Sequence, residues 1–220
     1  MLVEPADTQK VLGNALRRDG RIVEFRRGQA LFVAGDLAER VFLIDLGYVL
    51  LTCTAAGGRE IVLAVSGPGD VVGELSALDR EPRSASAFAL DDVRAVVAAG
   101  SVLMRALEDV VAAHELIRVL AARLRDGNRK QLEFATLNTL GRVAWRLLEL
   151  SERFGQPTPE GIAVQLPLSQ DQLASWCAAS RESTVKALGA LRSLHCITTG
   201  RRSVVISDVE GLRRQAHGLA

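Results

Sequence analysis

Ser169-Gln170-Asp171-Gln172-Leu173-Ala174-Ser175-Trp176-Cys177-Ala178-Ala179-Ser180-Arg181-Glu182-Ser183-Thr184-Val185-Lys186 is the stretch on which the reading of this 220-residue chain turns. Ser169 can cap a helix, and Gln172 stands three residues on, the spacing of a capping box. A helix is expected from Gln170 to about Cys177. Ala178-Ala179 then forms a short tight segment, and Ser180 can cap a second helix from Arg181 to about Leu194. On that helix Thr184, Ala187, Leu188 and Leu191 share an inward face. Arg181, Glu182, Val185, Lys186 and Gly189 project outward. Helix, tight turn and helix, with long polar side chains at the second N-terminus, is the helix-turn-helix arrangement. In a major groove, Arg can take guanine O6 and N7 together and Glu can accept from cytosine N4. Ser169, Gln170, Ser180, Arg181, Glu182, Ser183 and Lys186 are therefore candidate DNA contacts.

Downstream, Ile197-Thr198-Thr199, Gly200-Arg201-Arg202 and Ser203–Ser207 read as a two-stranded wing. Its tip arginines, Arg201 and Arg202, suit phosphate contact. The bland alternative is a helical hairpin with a solvated polar face. Charge distribution leans toward an anionic partner: residues 141–220 carry 10 Lys/Arg against 7 Asp/Glu, whereas residues 1–140 carry 17 against 19. The whole chain sums to +1, which by itself selects no partner.

Upstream lies Gly155-Gln156-Pro157-Thr158-Pro159-Glu160-Gly161, which fits an interdomain linker or a hairpin loop within the C-terminal domain. From Leu103 to about Leu150 the period is helical: Leu116, Ile117, Leu120 and Leu124 recur, and Leu132, Phe134, Ala135 and Leu137 resume the pattern. The polar gap Arg125-Asp126-Gly127-Asn128-Arg129-Lys130 between them fits either a turn or one long helix, in which a Gly would cost roughly 1 kcal/mol relative to Ala. The first hundred residues read as short strands: Ala30–Ala34, Val41–Leu46, Tyr48–Thr54, Ile61–Val65 and Val93–Ala98. Gly28, Gly35-Asp36, Gly47, Gly57-Gly58 and Gly67-Pro68-Gly69-Asp70 punctuate them, as in an antiparallel sandwich or barrel.

Composition excludes some classes. With 48% hydrophobic and 24% charged residues the chain is an ordinary folding sequence. No apolar run is long enough to span a membrane, and the N-terminus lacks a signal-peptide pattern, so a cytoplasmic protein is expected. Cys53, Cys177 and Cys196 are too dispersed for a metal or cluster site. No Ser/His/Asp arrangement and no phosphate-binding GxxxxGK[ST] loop is present, so no catalytic residue is assigned and an enzyme is not expected. Trp145 and Trp176 read as core residues, and His114, His195 and His217 as isolated.

Three motifs in order carry a resemblance. Ser180-Arg181-Glu182-Ser183-Thr184-Val185-Lys186 resembles the SRETVxR recognition helix of the Crp–Fnr transcription regulators, the family of the cyclic-AMP receptor protein. Leu137-Asn138-Thr139-Leu140-Gly141-Arg142-Val143-Ala144 looks like that family's hinge and first DNA-domain helix. Gly67-Pro68-Gly69-Asp70-Val71-Val72-Gly73-Glu74-Leu75-Ser76, followed by Pro82-Arg83-Ser84-Ala85, resembles its phosphate-binding cassette.

The resemblance implies an α+β chain. It would comprise a cyclic-nucleotide-binding, jelly-roll-like β-roll (residues 1–105), a long dimerisation helix (106–138) and a C-terminal winged helix-turn-helix (139–220). It also implies one long helix through Asp126-Gly127-Asn128. Around a cyclic nucleotide, cyclic AMP first, Glu74 would hold the ribose 2′-hydroxyl and Gly73 would allow close backbone approach. Arg83 would pair with the phosphate, amides near Ser84 and Ala85 would complete the anion nest, and Val72, Leu75 and Ser76 would flank it. Arg123 would support the site, and Gly127 and Asn128 fall where the family reads the base across the dimer seam. Arg181, Glu182 and Lys186 match the base-reading trio.

Two departures stand out. Gly127 removes a base-reading side chain, and Lys186 replaces an Arg, giving a point charge in place of a bidentate fork. The implied protein is an allosteric homodimer on palindromic duplex DNA, with RNA polymerase as a partner and no metal. The alternatives are another ligand such as a cyclic dinucleotide, ligand independence, or a nucleotide-sensing module acting on a partner protein.

Overall fold

The structure is a computed structural model that describes residues 10–37, 39–165, 168–200 and 202–218. The chain divides into two compact units, one ending at Arg125 and one beginning at Asp126.

The first unit opens with α1 (Lys10–Asp19). It continues through β1 (Arg21–Phe25), β2 (Ala30–Phe32), β3 (Arg40–Leu46), β4 (Val49–Thr54), β5 (Glu60–Ser66), β6 (Val71–Val72), α2 (Glu74–Asp79), β7 (Ser86–Ala89), β8 (Val93–Ala99) and α3 (Gly100–Ala106). The helix α4 (Val110–Thr136) starts here and ends in the second unit. The strands form two antiparallel sheets, ordered β1-β8-β3-β6 and β2-β7-β4-β5.

Burial explains why β3 and β8 read as continuous apolar runs rather than alternating ones. On β3, Phe42 and Ile44 face one core, with Val49, Val72, Ala87, Ala89 and Val97. Val41 and Leu43 face a second core, with Leu12, Leu16, Leu103, Ala112 and Leu116 from the helices. Helices thus cover the outer face of this sheet, and its central strands are apolar on both sides. Glu115 of α4 anchors α1 by accepting from the amides of Val11 (3.1 Å) and Leu12 (2.9 Å) at its N-terminus. The five expected strands are present. Beyond them lie β1, β6, β7 and the helices α1, α2 and α3. The largely exposed Arg21-Ile22-Val23-Glu24-Phe25, three of whose five residues are apolar, was not among the expected strands.

The second unit comprises the end of α4, α5 (Thr139–Phe154), β9 (Gln156–Thr158), β10 (Gly161–Gln165), α6 (Gln170–Trp176), α7 (Arg181–Ser193), β11 (Ile197–Gly200), β12 (Ser203–Ile206) and α8 (Val209–Ala216). The Pro/Gly break is the turn between β9 and β10, which pair antiparallel. It is therefore a hairpin inside this unit. The sheet runs β11-β12-β10-β9, and Val143, Leu147, Trp176, Leu191, Ile206 and Leu212 are buried at the core.

Helix α4 runs unbroken through Asp126-Gly127-Asn128. Asp126 pairs with Arg129 at i+3 and with Lys130 at i+4 (2.5 Å), closing the turn that contains Gly127. Such pairs contribute about 0.2–0.5 kcal/mol each and offset much of the glycine's penalty. One turn on, Glu133 meets Arg146 of α5, both almost fully buried. Arg146 also bonds Glu149, and Arg129 Nε lies 3.2 Å from Glu133. Burial pushes the Glu133 carboxyl above its ordinary value, and Arg146 and Arg129 pull it part of the way back.

All three cysteines are free thiols. Burial pushes Cys177 up to about 12 and also raises Cys196, whereas Cys53 is only half-buried. Because the thiolate is the reactive form, iodoacetamide treatment of the native protein should label Cys53 and spare Cys177. Peptide mass spectrometry showing equal labelling of the two would contradict this.

Candidate functional site

The cassette, which opens at Gly67, runs through β6 and turns at its end. Val71 faces the helix-side core and Val72 the core between the sheets, so the chain emerges from the roll at Gly73. Gly73 has φ +79°, a conformation L-residues rarely adopt. Space forbids a side chain as well: a Cβ here would lie 2.7 Å from Arg83 Nη1 and 3.2 Å from the Phe32 ring. Glu74 follows as the first residue of α2 and is 1% exposed.

Arg83, 5% exposed, donates from Nη1 to the Gly73 carbonyl (2.6 Å) and from Nη2 to the Arg40 carbonyl. Its guanidinium lies 4.4 Å over the Phe32 ring. Glu74 does not pair with Arg83. Its Oε1 accepts from Arg123 of α4, whose Nη2 also donates to the Val71 carbonyl (2.6 Å). Two hydrogen-bonded sets, Arg83 with Gly73 and Arg123 with Glu74, therefore meet at the Gly73–Glu74 peptide. Two of their buried polar atoms, Glu74 Oε2 and Arg83 Nε, have no partner. Buried polar groups are nearly always satisfied, so such orphans mark a place built for something else. Burial pushes the Arg83 pKa down from its ordinary value, and Glu74 and Asp36 push it part of the way back. An anion arriving here would relieve that penalty, and an acceptor beside it suits a hydroxyl.

The remaining cassette residues are distributed around this junction. Ser76 is buried, Leu75 and Ser84 are exposed, and Ala85 is half-buried. Gly127 and Asn128 lie on α4 one turn past Arg123, in the second unit, and both are exposed. A Cβ at Gly127 would meet nothing within 4 Å. Sequence reasoning missed Phe32 and the carbonyls of Arg40 and Val71. A backbone acceptor leaves no residue signature, and the Phe32 role needs the β2 register.

At the helix-turn-helix, Ser169 and Gln172 form the expected capping box, and Ser180 accepts from the Ser183 amide. Ala178 takes φ +47° in the turn. Arg142, at the start of α5, donates to the Cys177 carbonyl (2.8 Å) and the Leu137 carbonyl (2.9 Å), tying the turn to the hinge. Thr184, Ala187 and Leu191 are buried beneath α7. Arg181, Glu182 and Lys186 are exposed on its first turns, held by ion pairs from Arg181 to Asp171 (3.6 Å) and from Lys186 to Glu182 (2.8 Å). Ser169 and Gln170 are exposed and Ser183 is half-buried. β11 and β12 form the wing, with Arg202 exposed at its turn, and Arg192 of α7 bonds Thr199 (3.1 Å). Arg201 lies outside the described residues. Among the described residues no group of three or more His, Cys, Asp or Glu is placed to hold a metal, and no helix is long and apolar enough to cross a membrane.

Two family models match this division. A cyclic nucleotide-binding domain covers residues 22–110, and a Crp-like helix-turn-helix domain covers residues 141–215. Together they define a DNA-binding transcription regulator with a cyclic-nucleotide-binding domain. A CRP-like cAMP-activated global transcriptional regulator of Mycobacterium tuberculosis is 37% identical over 92% of this chain and 91% of its own length. The cyclic AMP receptor protein of Thermus thermophilus is 32% identical over 89% of this chain and 88% of its own. A solved CRP-family transcriptional regulator from Thermus thermophilus superimposes with a TM-score of 0.74 at 28% identity, covering 89% of this chain and 96% of that one. The chain belongs to the Crp–Fnr family of transcription regulators, and it is a regulator rather than an enzyme.

Proposed function

We propose that this regulator is a homodimer whose grip on palindromic DNA is controlled by cyclic AMP bound at the cassette. The observation that carries the reading is the pair of orphaned buried atoms beside Gly73. Arg83 Nε supplies a donor for the cyclic phosphate and Glu74 Oε2 an acceptor for the ribose 2′-hydroxyl. Arg123 orients Glu74. Ser84 and Ala85 lie next to Arg83 in the chain, where their amides would complete the phosphate nest. Val72, Leu75 and Ser76 frame the same turn. The Mycobacterium tuberculosis relative, similar over most of its length, is cAMP-activated.

The dimer reading rests on α4. Val110, Ile117 and Leu124 recur at heptad spacing and stand exposed at 68%, 59% and 67%, with Leu132 and Phe134 also exposed further along. An apolar seam of this kind needs a partner, and a second copy of α4 supplies one. On this reading Asn128 faces the base across the seam. The nucleotide favours one of two dimer arrangements, which sets the two recognition helices about one duplex turn apart. RNA polymerase would be the downstream partner, in the cytoplasm. Native mass spectrometry should give twice the 23.6 kDa chain mass with up to one nucleotide per chain; a monomer at micromolar concentration would overturn the dimer.

Gly127 favours a second reading of the ligand alone. Without a side chain at this position only Asn128 remains of the two base-reading residues that the family resemblance implies, which suits a ligand other than cyclic AMP, such as a cyclic dinucleotide.

On the DNA side, Ser169, Gln170, Ser180 and Ser183 would position the helices on phosphate. Arg181, Glu182 and Lys186 would read bases, and Arg201 and Arg202 would hold the backbone from the wing. Replacing Arg181 with Ala should weaken specific binding by about 1–3 kcal/mol and relax preference at one base pair. An operator-variant panel measured at one salt concentration checks this; an unchanged preference would contradict the assignment.

A further inference from the structure

We propose that Val185 is a specificity residue of the recognition helix: its two methyl groups pack on the 5-methyl of a thymine in the major groove. Among the described residues of α7 it is the one large apolar side chain that is exposed, at 40%. The buried side of the helix is filled by Thr184, Ala187 and Leu191, so Val185 adds nothing to the core. A lone exposed valine on a solvated helix would call for no explanation. This one stands in the middle of the face that carries Arg181, Glu182 and Lys186, and it is a poorer helix former there than Ala, Arg or Lys.

Its neighbours leave it clear. Arg181 lies one turn before Val185, with its guanidinium 3.6 Å from the Asp171 carboxylate of α6. Glu182 and Lys186, on the other flank, pair with each other at 2.8 Å. These charges cancel in pairs, so the apolar spot between them faces no unmatched ion. One turn beyond Val185 comes Gly189, where a Cβ would meet only Arg192 Nη2, at 3.8 Å. Arg181, Val185 and Gly189 form one row along the helix. With no side chain at Gly189, nothing further along that row holds a base edge away from the valine.

Chemistry selects the base. Each base pair presents a distinct set of donors and acceptors in the major groove, and the apolar group among them is the thymine 5-methyl. Valine offers neither donor nor acceptor. Set against the polar edge of another base, it would strip water from that edge and pair with nothing. Set against a methyl, it buries apolar surface on both sides. A β-branched side chain in a helix keeps one strongly preferred rotamer, so the two methyls are in place before DNA arrives and little freedom is lost on contact. Preference therefore comes both from attraction to thymine and from exclusion of the other bases.

The inference rests on the reading that α7 lies in the major groove, which Arg181→Ala tests separately. The full-length protein, with cyclic AMP present, selects duplexes from a random-sequence pool. The enriched duplex is then resynthesised with deoxyuridine for thymine at one position at a time, which removes the methyl alone. At one position the wild type should lose about fourfold in affinity, the worth of one buried methyl. Val185→Ala, a change at an exposed position to a better helix former, should bind the thymine and deoxyuridine duplexes equally there. A selected sequence without thymine, no position sensitive to deoxyuridine, or a sensitivity that persists in Val185→Ala would overturn the proposal. If Arg181→Ala still relaxes the preference in those cases, the groove reading stands and Val185 alone is removed from it. No enriched sequence, or a preference unchanged in Arg181→Ala, would remove the groove reading and this inference with it.

Discussion

Arg146→Ala should lower the stability of the C-terminal unit by about 3–5 kcal/mol, because it strands a buried carboxylate. Arg146 is fully buried and bonds both Glu133 and Glu149, and its guanidinium lies 5.6 Å over the Trp176 ring. Removing it leaves Glu133, itself 3% exposed, with only Arg129 on its edge. The double replacement Glu133→Leu with Arg146→Met is a different case. It removes both desolvated charges together and is expected to be close to neutral.

The raised Glu133 carboxyl makes the same point through pH. Its folded pKa lies above the unfolded one, so its contribution to stability is greatest at acid pH. That contribution falls as pH climbs from the ordinary carboxylate value through the folded one, and Glu133→Gln should flatten the dependence. Both tryptophans of the chain, Trp145 and Trp176, belong to this unit, so denaturant unfolding followed by tryptophan fluorescence reads it directly. A loss below about 1 kcal/mol for Arg146→Ala would show that the pair is not structurally required.

Arg83→Leu should reduce cyclic AMP affinity by about 2–5 kcal/mol, roughly 30-fold or more, as expected when one partner of a desolvated charge pair is removed. The same change frees the Gly73 and Arg40 carbonyls, so its effect on folding must be read alongside. Glu74→Gln supplies the independent arm. It keeps the shape and the oxygen that can accept from a hydroxyl, but weakens the bond from Arg123. It should weaken nucleotide binding less than Arg83→Leu does. Equilibrium dialysis with cyclic AMP checks both; unchanged affinity in Arg83→Leu would remove the guanidinium from the phosphate site.

Most of the fold was legible where local chemistry and packing agree. The capping serines at 169 and 180 define α6 and α7 without tertiary help, and Gly57-Gly58, which punctuates two apolar runs, lies in the turn of the β4–β5 hairpin. The strands β3 and β8 were visible because they are buried on two faces. By contrast β1 is a largely exposed edge strand, and α1 owes its N-terminal anchoring to Glu115, more than a hundred residues away. The residues around Gly127 could not be settled from propensity. The staple from Asp126 to Arg129 and Lys130, not the glycine, decides that α4 continues.

At the candidate site the side-chain identities were readable, but their partners were not. Glu74 and Arg83 are close in sequence and invite a mutual ion pair, yet Glu74 turns to Arg123, and Arg83 turns to two carbonyls and a phenylalanine. The buried Glu133–Arg146 pair left no trace in the pattern, since residue type and helical period alone do not tell a paired buried charge from a solvated one.

Coupling between the cassette and duplex DNA is tested most directly by fluorescence anisotropy of a labelled palindromic operator. The full-length protein is titrated at one fixed salt concentration, with and without saturating cyclic AMP. Nucleotide should tighten operator binding by roughly 5–150-fold, the range of an allosteric coupling of 1–3 kcal/mol. The gain should vanish in Arg83→Leu. Identical binding curves with and without cyclic AMP would contradict nucleotide control.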